Sequence, residues 1–384
     1  YNMNIPRYVE SLDTEIVQDV DAHLYGGIPE KNIKDLTVLQ SLVPNKMSQY
    51  TEEIRLGYVK LVESVEEMTK AILADDNIKN LSLELEKKAD GYVKKYFEIL
   101  KNVSENDDLS QLMTSMLDEI KKMINDYEHI DVYGGYQVIA EIWKESLNHD
   151  VELIGKEGFY NAGRTRVPNI VTKGTGDKKR EEQDGWNGSS VSNDLIANKL
   201  YHDELVQIEE KKNRIQEIET ELAEYVEAAK VEDSDENSAL FDILKKDDDG
   251  EALDSFENKL LKSELKNASK ESPEYKLLKI VESLIAEKSK VAKEVKLEEK
   301  ELKDAVADRI NVLTDEEIDM LMFEKWFGST TKSIVSLIEV SVKGELAILK
   351  MLEERYASTL SQIDTEIDDL MSGFEKIQAE LVVG

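Results

Sequence analysis

The side chains of this chain that are able to do chemistry lie scattered along it. The four histidines, His23, His129, His149 and His202, stand alone in sequence. No His-Glu-x-x-His, Gly-x-Ser-x-Gly or Gly-x-Gly-x-x-Gly spacing occurs, so zinc hydrolysis, serine acyl transfer and dinucleotide binding have no signature. There is no cysteine, which removes disulfides, thiolate metal sites and a cysteine nucleophile. Gly26-Gly27 invites a phosphate-loop reading but lacks the Gly-x-x-x-x-Gly-Lys spacing; it reads as a turn, with Pro29 starting a helix over 30–42. Asp247-Asp248-Asp249-Gly250-Glu251 lacks the alternating ligands of a calcium loop and reads as a solvated tip. Met113, Met116 and Met123 could line a groove, though core filling is the commoner use. One dense basic cluster occurs, in the Gly-rich stretch 161–188, where Trp186 is expected to anchor a loop. Its Arg164, Arg166, Lys178, Lys179 and Arg180 are the candidates for a DNA phosphate contact, and Lys173 belongs to the same cluster. The competing reading is a solvated loop.

The elements that would carry these residues are helical. Over 50–74, apolar residues recur at Ile54, Tyr58, Leu61, Val65, Met68 and Ile72, and 81–103 and 109–127 repeat the helical spacing. The stretch 195–312 reads as an antiparallel helical hairpin. Its second arm has a seam at Leu277, Val281, Leu284, Lys288, Val291, Val295, Glu298, Leu302, Ala305, Arg309 and Val312, spaced alternately by four and three. Between the arms lies an acidic tip (227–274), with Glu232, Asp233, Asp235 and Glu236, where little apolar surface is expected to fix the chain. Val- and Ile-rich runs alternating with helices are missing, which argues against a nucleotide-binding parallel sheet.

The closing stretch, 313–381, reads as one long helix. Thr314 and Glu317 form a capping box at its start, and no proline interrupts it. Val335, Ile338, Val342, Leu346, Leu349, Leu352 and Tyr356 make a loose stripe. Leu360, Ile363, Ile367, Leu370, Phe374, Ile377 and Leu381 then follow a strict heptad spacing, flanked by Glu366, Asp368, Asp369 and Glu375. Ile363, Ile367, Leu370, Phe374 and Ile377 are the candidate partner-binding residues. The same seam is equally readable as core, packed on the chain's own helices.

Composition sets the limits. The 384 residues include 82 acidic and 49 basic side chains, a formal net charge of -33. That field repels nucleic acid and anionic membranes over most of the surface, so any DNA contact must be local or made by another chain. No stretch has the length and apolarity of a membrane span, and no signal peptide opens the sequence. A cytoplasmic protein fits these features. The chain begins at Tyr1, which reads as a piece of something longer. The expected fold is all-α or nearly so: a helical bundle with a long antiparallel coiled-coil hairpin and a long C-terminal helix. Its parts are a linker and turn (1–50), a helical domain (51–194), the hairpin (195–312) and the terminal helix (313–384).

Several segments together resemble a known family. They are Asn4-Ile5-Pro6-Arg7-Tyr8, Asp21-Ala22-His23-Leu24-Tyr25-Gly26-Gly27-Ile28-Pro29, 133–143 from Tyr133 to its tryptophan Trp143, 150–154, Gly185-Trp186, Leu313-Thr314-Asp315-Glu316-Glu317 through Lys325-Trp326, and 352–360. In this order they resemble the C-terminal region of the modification (M) subunit of type I restriction–modification systems, in its longer form with a charged helical hairpin. The resemblance spans nearly the whole chain. It implies a parent that methylates adenine N6 in DNA with S-adenosylmethionine, through a domain preceding Asn4. The family's Asn-Pro-Pro-Phe/Tyr and glycine-rich cofactor motifs have no counterpart here, so no catalytic, cofactor or metal residue is assigned to this segment. The resemblance further implies assembly with the specificity (S) and restriction (R) subunits, with DNA met mainly through other domains. The alternative is a stand-alone acidic coiled-coil scaffold.

Overall fold

Short polar side chains at the starts of apolar runs set the helix boundaries. Asp19, Ser64, Asp75, Asp108, Asp131, Ser192 and Ser272 each accept a hydrogen bond from a backbone N–H of the first turn, satisfying donors that a helix leaves unpaired. The computed structural model describes residues 16–44, 46–173, 179–230, 238–247 and 250–383, the side chains of 173 and 379–383 apart. In chain order come α1 (Val20–Tyr25), β1 (Ile28–Pro29), α2 (Glu30–Lys34), α3 (Thr37–Leu42), α4 (Met47–Tyr50), β2 (Thr51–Arg55), β3 (Tyr58–Leu61), α5 (Val65–Leu73), α6 (Asp76–Lys101), α7 (Leu109–Asn125) and α8 (Val132–Ile142). A π-helical turn (Trp143–Leu147) leads to α9 (Asn148–Glu157), α10 (Phe159–Arg164), β4 (Arg166–Lys173), β5 (Arg180–Gly188), α11 (Asn193–Leu200), α12 (His202–Ala229) and α13 (Ser238–Phe241). Then follow β6 (Leu244–Lys246), β7 (Ala252–Phe256), α14 (Asn258–Asn267), α15 (Pro273–Arg309), α16 (Asp315–Phe327), α17 (Thr330–Arg355) and α18 (Leu360–Val383). The fold is mainly helical, as the apolar spacing indicates.

Two units divide the chain. The first comprises Tyr1–Asn102, Asn106–Asn148 and Trp326–Gly384. Its centre is α17, on which α3, α5, α6 and α8 pack. The loose apolar stripe of the sequence is the buried face from Ile338 onward: Ile338, Val342, Leu346, Leu349 and Leu352 are enclosed, while Val335 is half-buried and its neighbour Ile334 takes the core position. Trp326 is buried against Phe97, ring centres 5.7 Å apart. Met116 is fully buried, a core side chain rather than a groove. A small antiparallel sheet, ordered β1-β3-β2, pairs Ile28 with Val59 and Glu53 with Val59's other edge. Gly27 occupies the turn before it at φ +89°, a region open to glycine.

The second unit comprises Val103–Glu105 and His149–Lys325. α12 and α15 pack along each other and run antiparallel: Arg214 pairs with Glu287, Lys211 with Glu298 and Lys212 with Glu299, while Lys288 reaches back to Glu219. In the first unit the helix expected over 50–74 is helical only from Val65 onward, in α5, because Thr51–Arg55 and Tyr58–Leu61 pair as strands β2 and β3, and the helix expected over 30–42 is two, α2 and α3. Three further sequence expectations need correction. The Gly-rich stretch 161–188 is no loop beyond α10: β4 and β5 form an antiparallel hairpin, from Arg166 opposite Gly188 to Lys173 opposite Arg180. Burial along β5 alternates, with Asp184, Trp186 and Gly188 half-buried and Gly185 and Asn187 exposed, the period of a strand. The end of the α12–α15 pair is no bare acidic tip either. Leu240, Ile243, Leu244 and Leu261 join Val226, Ala229, Leu278 and Val281 in a small core of their own, with β6 and β7 paired beside it. Gly250 turns that hairpin at φ +87°. Glu232, Asp233, Asp235, Glu236, Asp248 and Asp249 lie outside the described residues, as do Lys178 and the segment Asn4–Tyr8. Third, the single helix expected over 313–381 is three helices.

Candidate partner-binding surface

Local capping explains the three helices. Thr314 and Glu317 do form the capping box that starts α16: Glu317 N–H donates to Thr314 Oγ1 at 3.2 Å, and Thr314 N–H to Glu317 Oε2 at 2.9 Å. A second box, unread in the sequence, starts α18. Gln362 N–H donates to Thr359 Oγ1 at 3.3 Å, and Thr359 N–H to Gln362 Oε1 at 2.9 Å. The Thr-x-x-Gln spacing was the available signal. Between α16 and α17 the break falls at Gly328-Ser329.

α18 carries the heptad seam, and the seam is bare. Ile363 is 42% exposed, Ile367 48%, Leu370 73%, Phe374 67% and Ile377 59%. Leu360 and Met371 are exposed with them. Among the described residues α18 packs on α1, and just before its first turn Thr359 Cγ2 approaches Gly26. The core reading of this seam therefore fails within the described chain. The residues form a continuous apolar row on one helix face, the kind of exposed patch that marks an interaction site.

A polar cluster fixes the point from which α18 leaves. Asp19 Oδ1 accepts from Tyr58 Oη at 2.9 Å and from Ala22 N–H at 3.0 Å, and Lys31 Nζ lies 3.3 Å from Oδ2. Burial pushes the Asp19 carboxyl up, but these donors outweigh it and hold it below the usual range. The same bond to Asp19 raises Tyr58. Tyr356, at the end of α17, accepts from Asp19 N–H at 3.1 Å and packs edge-on to His23, 4.9 Å between centres. Arg55 stacks on Tyr58 and donates to the carbonyls of Asp21 and Gly26. In sequence His23 stands alone. Nothing in the spacing links it to Tyr356; only the fold does.

The basic candidates separate. Arg164 is held by the Leu313 carbonyl at 2.8 Å and by Asp315. Arg166 lies 4.5 Å above the Trp186 ring, donates to the Ala307 carbonyl at 3.3 Å and faces Asn311. Both guanidinium groups brace the hairpin within the second unit. Trp186 thus anchors the hairpin, as expected, but through Arg166. Lys179 and Arg180 are exposed at its far end, Arg180 3.6 Å from Glu182. Among the described residues of the cluster, Arg164 and Arg166 are engaged within the unit and lie apart from Lys179 and Arg180; Lys178 lies outside the described residues.

A buried carboxylate is held in an ion pair. Asp150, 0% exposed, meets Lys325 Nζ at 2.6 Å, and the same ammonium donates to the Ser190 carbonyl at 2.7 Å. Among the described residues no group of three or more His, Asp or Glu side chains is placed to hold a metal, and no helix is long and apolar enough to cross a membrane. Compared with known proteins, the chain matches no family model, no curated protein and no solved structure.

Proposed function

We propose that this chain is an assembly region of a type I modification subunit, and that α18 holds the specificity subunit through Ile363, Ile367, Leu370, Phe374 and Ile377. The observation that carries the reading is the exposure of that continuous row along one face of α18. An apolar helix face of this length fits a helix-in-groove or helix-on-helix contact. Two pairs of family-like segments also meet in space: His23 with Tyr356, and Asp150 with Lys325. In this reading the restriction subunit joins the same assembly, and methyl transfer from S-adenosylmethionine to adenine belongs to the parent's other domain. A cytoplasmic location goes with it.

The ion-paired α12–α15 hairpin favours a second reading, a stand-alone acidic scaffold in which these helices form a coiled coil. One experiment separates the two. Ile367→Asp with Leu370→Asp places two charges on the bare row. The melting temperature of the chain should stay unchanged, because neither side chain is buried in it. Capture of a purified type I specificity subunit should fall at least tenfold. Unchanged capture overturns the assembly reading; lost self-association in sedimentation, without any specificity-subunit binding, establishes the scaffold.

A further inference from the structure

The outward face of α15 is basic in a chain of net charge -33. Lys293, Lys296, Lys300 and Lys303 recur at spacings of three, four and three, which places them on one side of the helix. All four are exposed and line a shallow open trough with Leu297, itself 57% exposed, and with Glu299. At a rise of about 1.5 Å per residue the row extends roughly 15 Å.

Three of its four charges have no ion-pair partner among the described residues, for a structural reason. The carboxylates of α15 that form ion pairs do so largely with cations of α12, Glu299 from within the trough itself, while Glu301 is exposed beside Lys300. Glu287 is taken by Arg214, Glu298 by Lys211 and Glu299 by Lys212, all on α12. Lys303 meets Asp184 at 2.5 Å, but Lys293, Lys296 and Lys300 form no ion pair with any described residue. Asp304 closes the row at its C-terminal end. The remaining negative charge of the molecule acts weakly here, since fields decay over about 8 Å at physiological salt.

We propose that this lysine row is a docking site for the phosphate backbone of double-stranded nucleic acid. Three observations choose this occupant. Lysines spaced along a helix offer point charges to a regular line of phosphates without reading sequence. A protein partner needs an apolar centre to its interface, and the row offers Leu297 alone. A single strand is held by stacking on aromatic rings, and the face from 286 to 304 contains none. The site is separate from the arginines braced by Leu313 and Trp186, and it does not rest on the assembly reading.

The test is binding of a fluorescein-labelled 24-base-pair duplex to the full chain across salt concentrations. With three to four phosphates neutralised, the log–log slope should be about -3, so that affinity falls roughly 60-fold between 50 and 200 mM salt. Lys293→Glu, Lys296→Glu and Lys300→Glu together should abolish binding at 50 mM salt with an unchanged circular-dichroism melt. The triple arginine variant should retain it, and Lys179→Ala with Arg180→Ala should leave it unchanged. If the glutamate variant unfolds, the triple glutamine variant serves, with binding expected to fall at least tenfold. No duplex binding at 50 mM salt, binding indifferent to the triple substitution, tighter binding of the single strand, or equal competition by poly-glutamate would each overturn the proposal.

Discussion

Asp150 shows how little of a buried charge can be judged from its neighbours in sequence. It sits 175 positions from Lys325, yet the two meet at 2.6 Å, with Ser190 supplying the ammonium's second acceptor at 2.7 Å. A carboxylate with no exposure is tolerable only with such a partner. Asp150→Ala leaves the Lys325 ammonium without its counter-charge, and we expect a loss of about 3–5 kcal/mol in unfolding free energy, measured by urea titration. Replacing the pair together, Asp150→Leu with Lys325→Met, should recover most of that loss. A single variant as stable as the parent would show that the pair carries nothing. Arg164 and Arg166 teach the same lesson at the surface of the unit. Their basic character suggested a phosphate contact, whereas their donors serve the Leu313 and Ala307 carbonyls and the Trp186 ring.

At the scale of elements, the β4–β5 hairpin depends on a glycine at its open end, where the chain turns out of β5 toward α11. A Cβ on Gly188 would lie 1.8 Å from the Val191 carbonyl oxygen, a backbone atom that cannot swing aside. Gly188→Ala should therefore destabilise the second unit by about 1–3 kcal/mol, seen as an earlier thermal melt, while Gly57→Ala meets no atom within 4 Å and answers only for its positive φ. An equal melt for Gly188→Ala and the parent would refute this. Such close approaches are invisible in the sequence, and so was the hairpin itself: lysine and glycine content hid the alternation around Trp186. Helices were far more legible. The stripe from Ile338 to Leu352 is buried as its spacing implies, and the Thr314–Glu317 box is formed. What periodicity did not reveal is which stripe is core. The irregular one on α17 is enclosed by four helices, whereas the strict heptad on α18 is bare. An apolar period specifies that a face wants cover; it does not specify which chain supplies it. The Asn258–Asn267 helix and its small core were missed because Leu240, Ile243, Leu244 and Leu261 are spread among charged residues and converge only in three dimensions.

Across the whole molecule two electrostatic effects oppose each other as pH changes. At neutral pH the net charge of -33 makes the folded chain repel itself. Acidification from pH 8 toward the sequence pI, about 4.6, removes that repulsion and should stabilise. Against this stand individual carboxylates held by cations. Lys46, 2.8 Å away, and the Asn77 N–H keep Asp75 below its ordinary 3.8. Burial raises Glu119, but Lys95 and the Tyr96 hydroxyl outweigh it and hold that group below 4.5. Asp19 is lowered likewise. A group whose folded pKa is depressed binds its proton more readily when unfolded. It therefore contributes stability above its unfolded value, and that contribution disappears as pH falls through the folded value. The window of loss opens near pH 4 and continues below it. The melting temperature should consequently rise from pH 8 to about pH 5.5 and fall steeply between pH 4 and pH 3. Added salt at 0.5 M should raise it at pH 8, where repulsion dominates, and have a much smaller effect at pH 5.5. Asp75→Asn should lower the melt at pH 5.5 and flatten the acid limb, because the variant has already lost what acid would remove. Scanning calorimetry at low protein concentration measures all three; a melt that climbs without interruption to pH 3, or that salt leaves unmoved at pH 8, contradicts the balance.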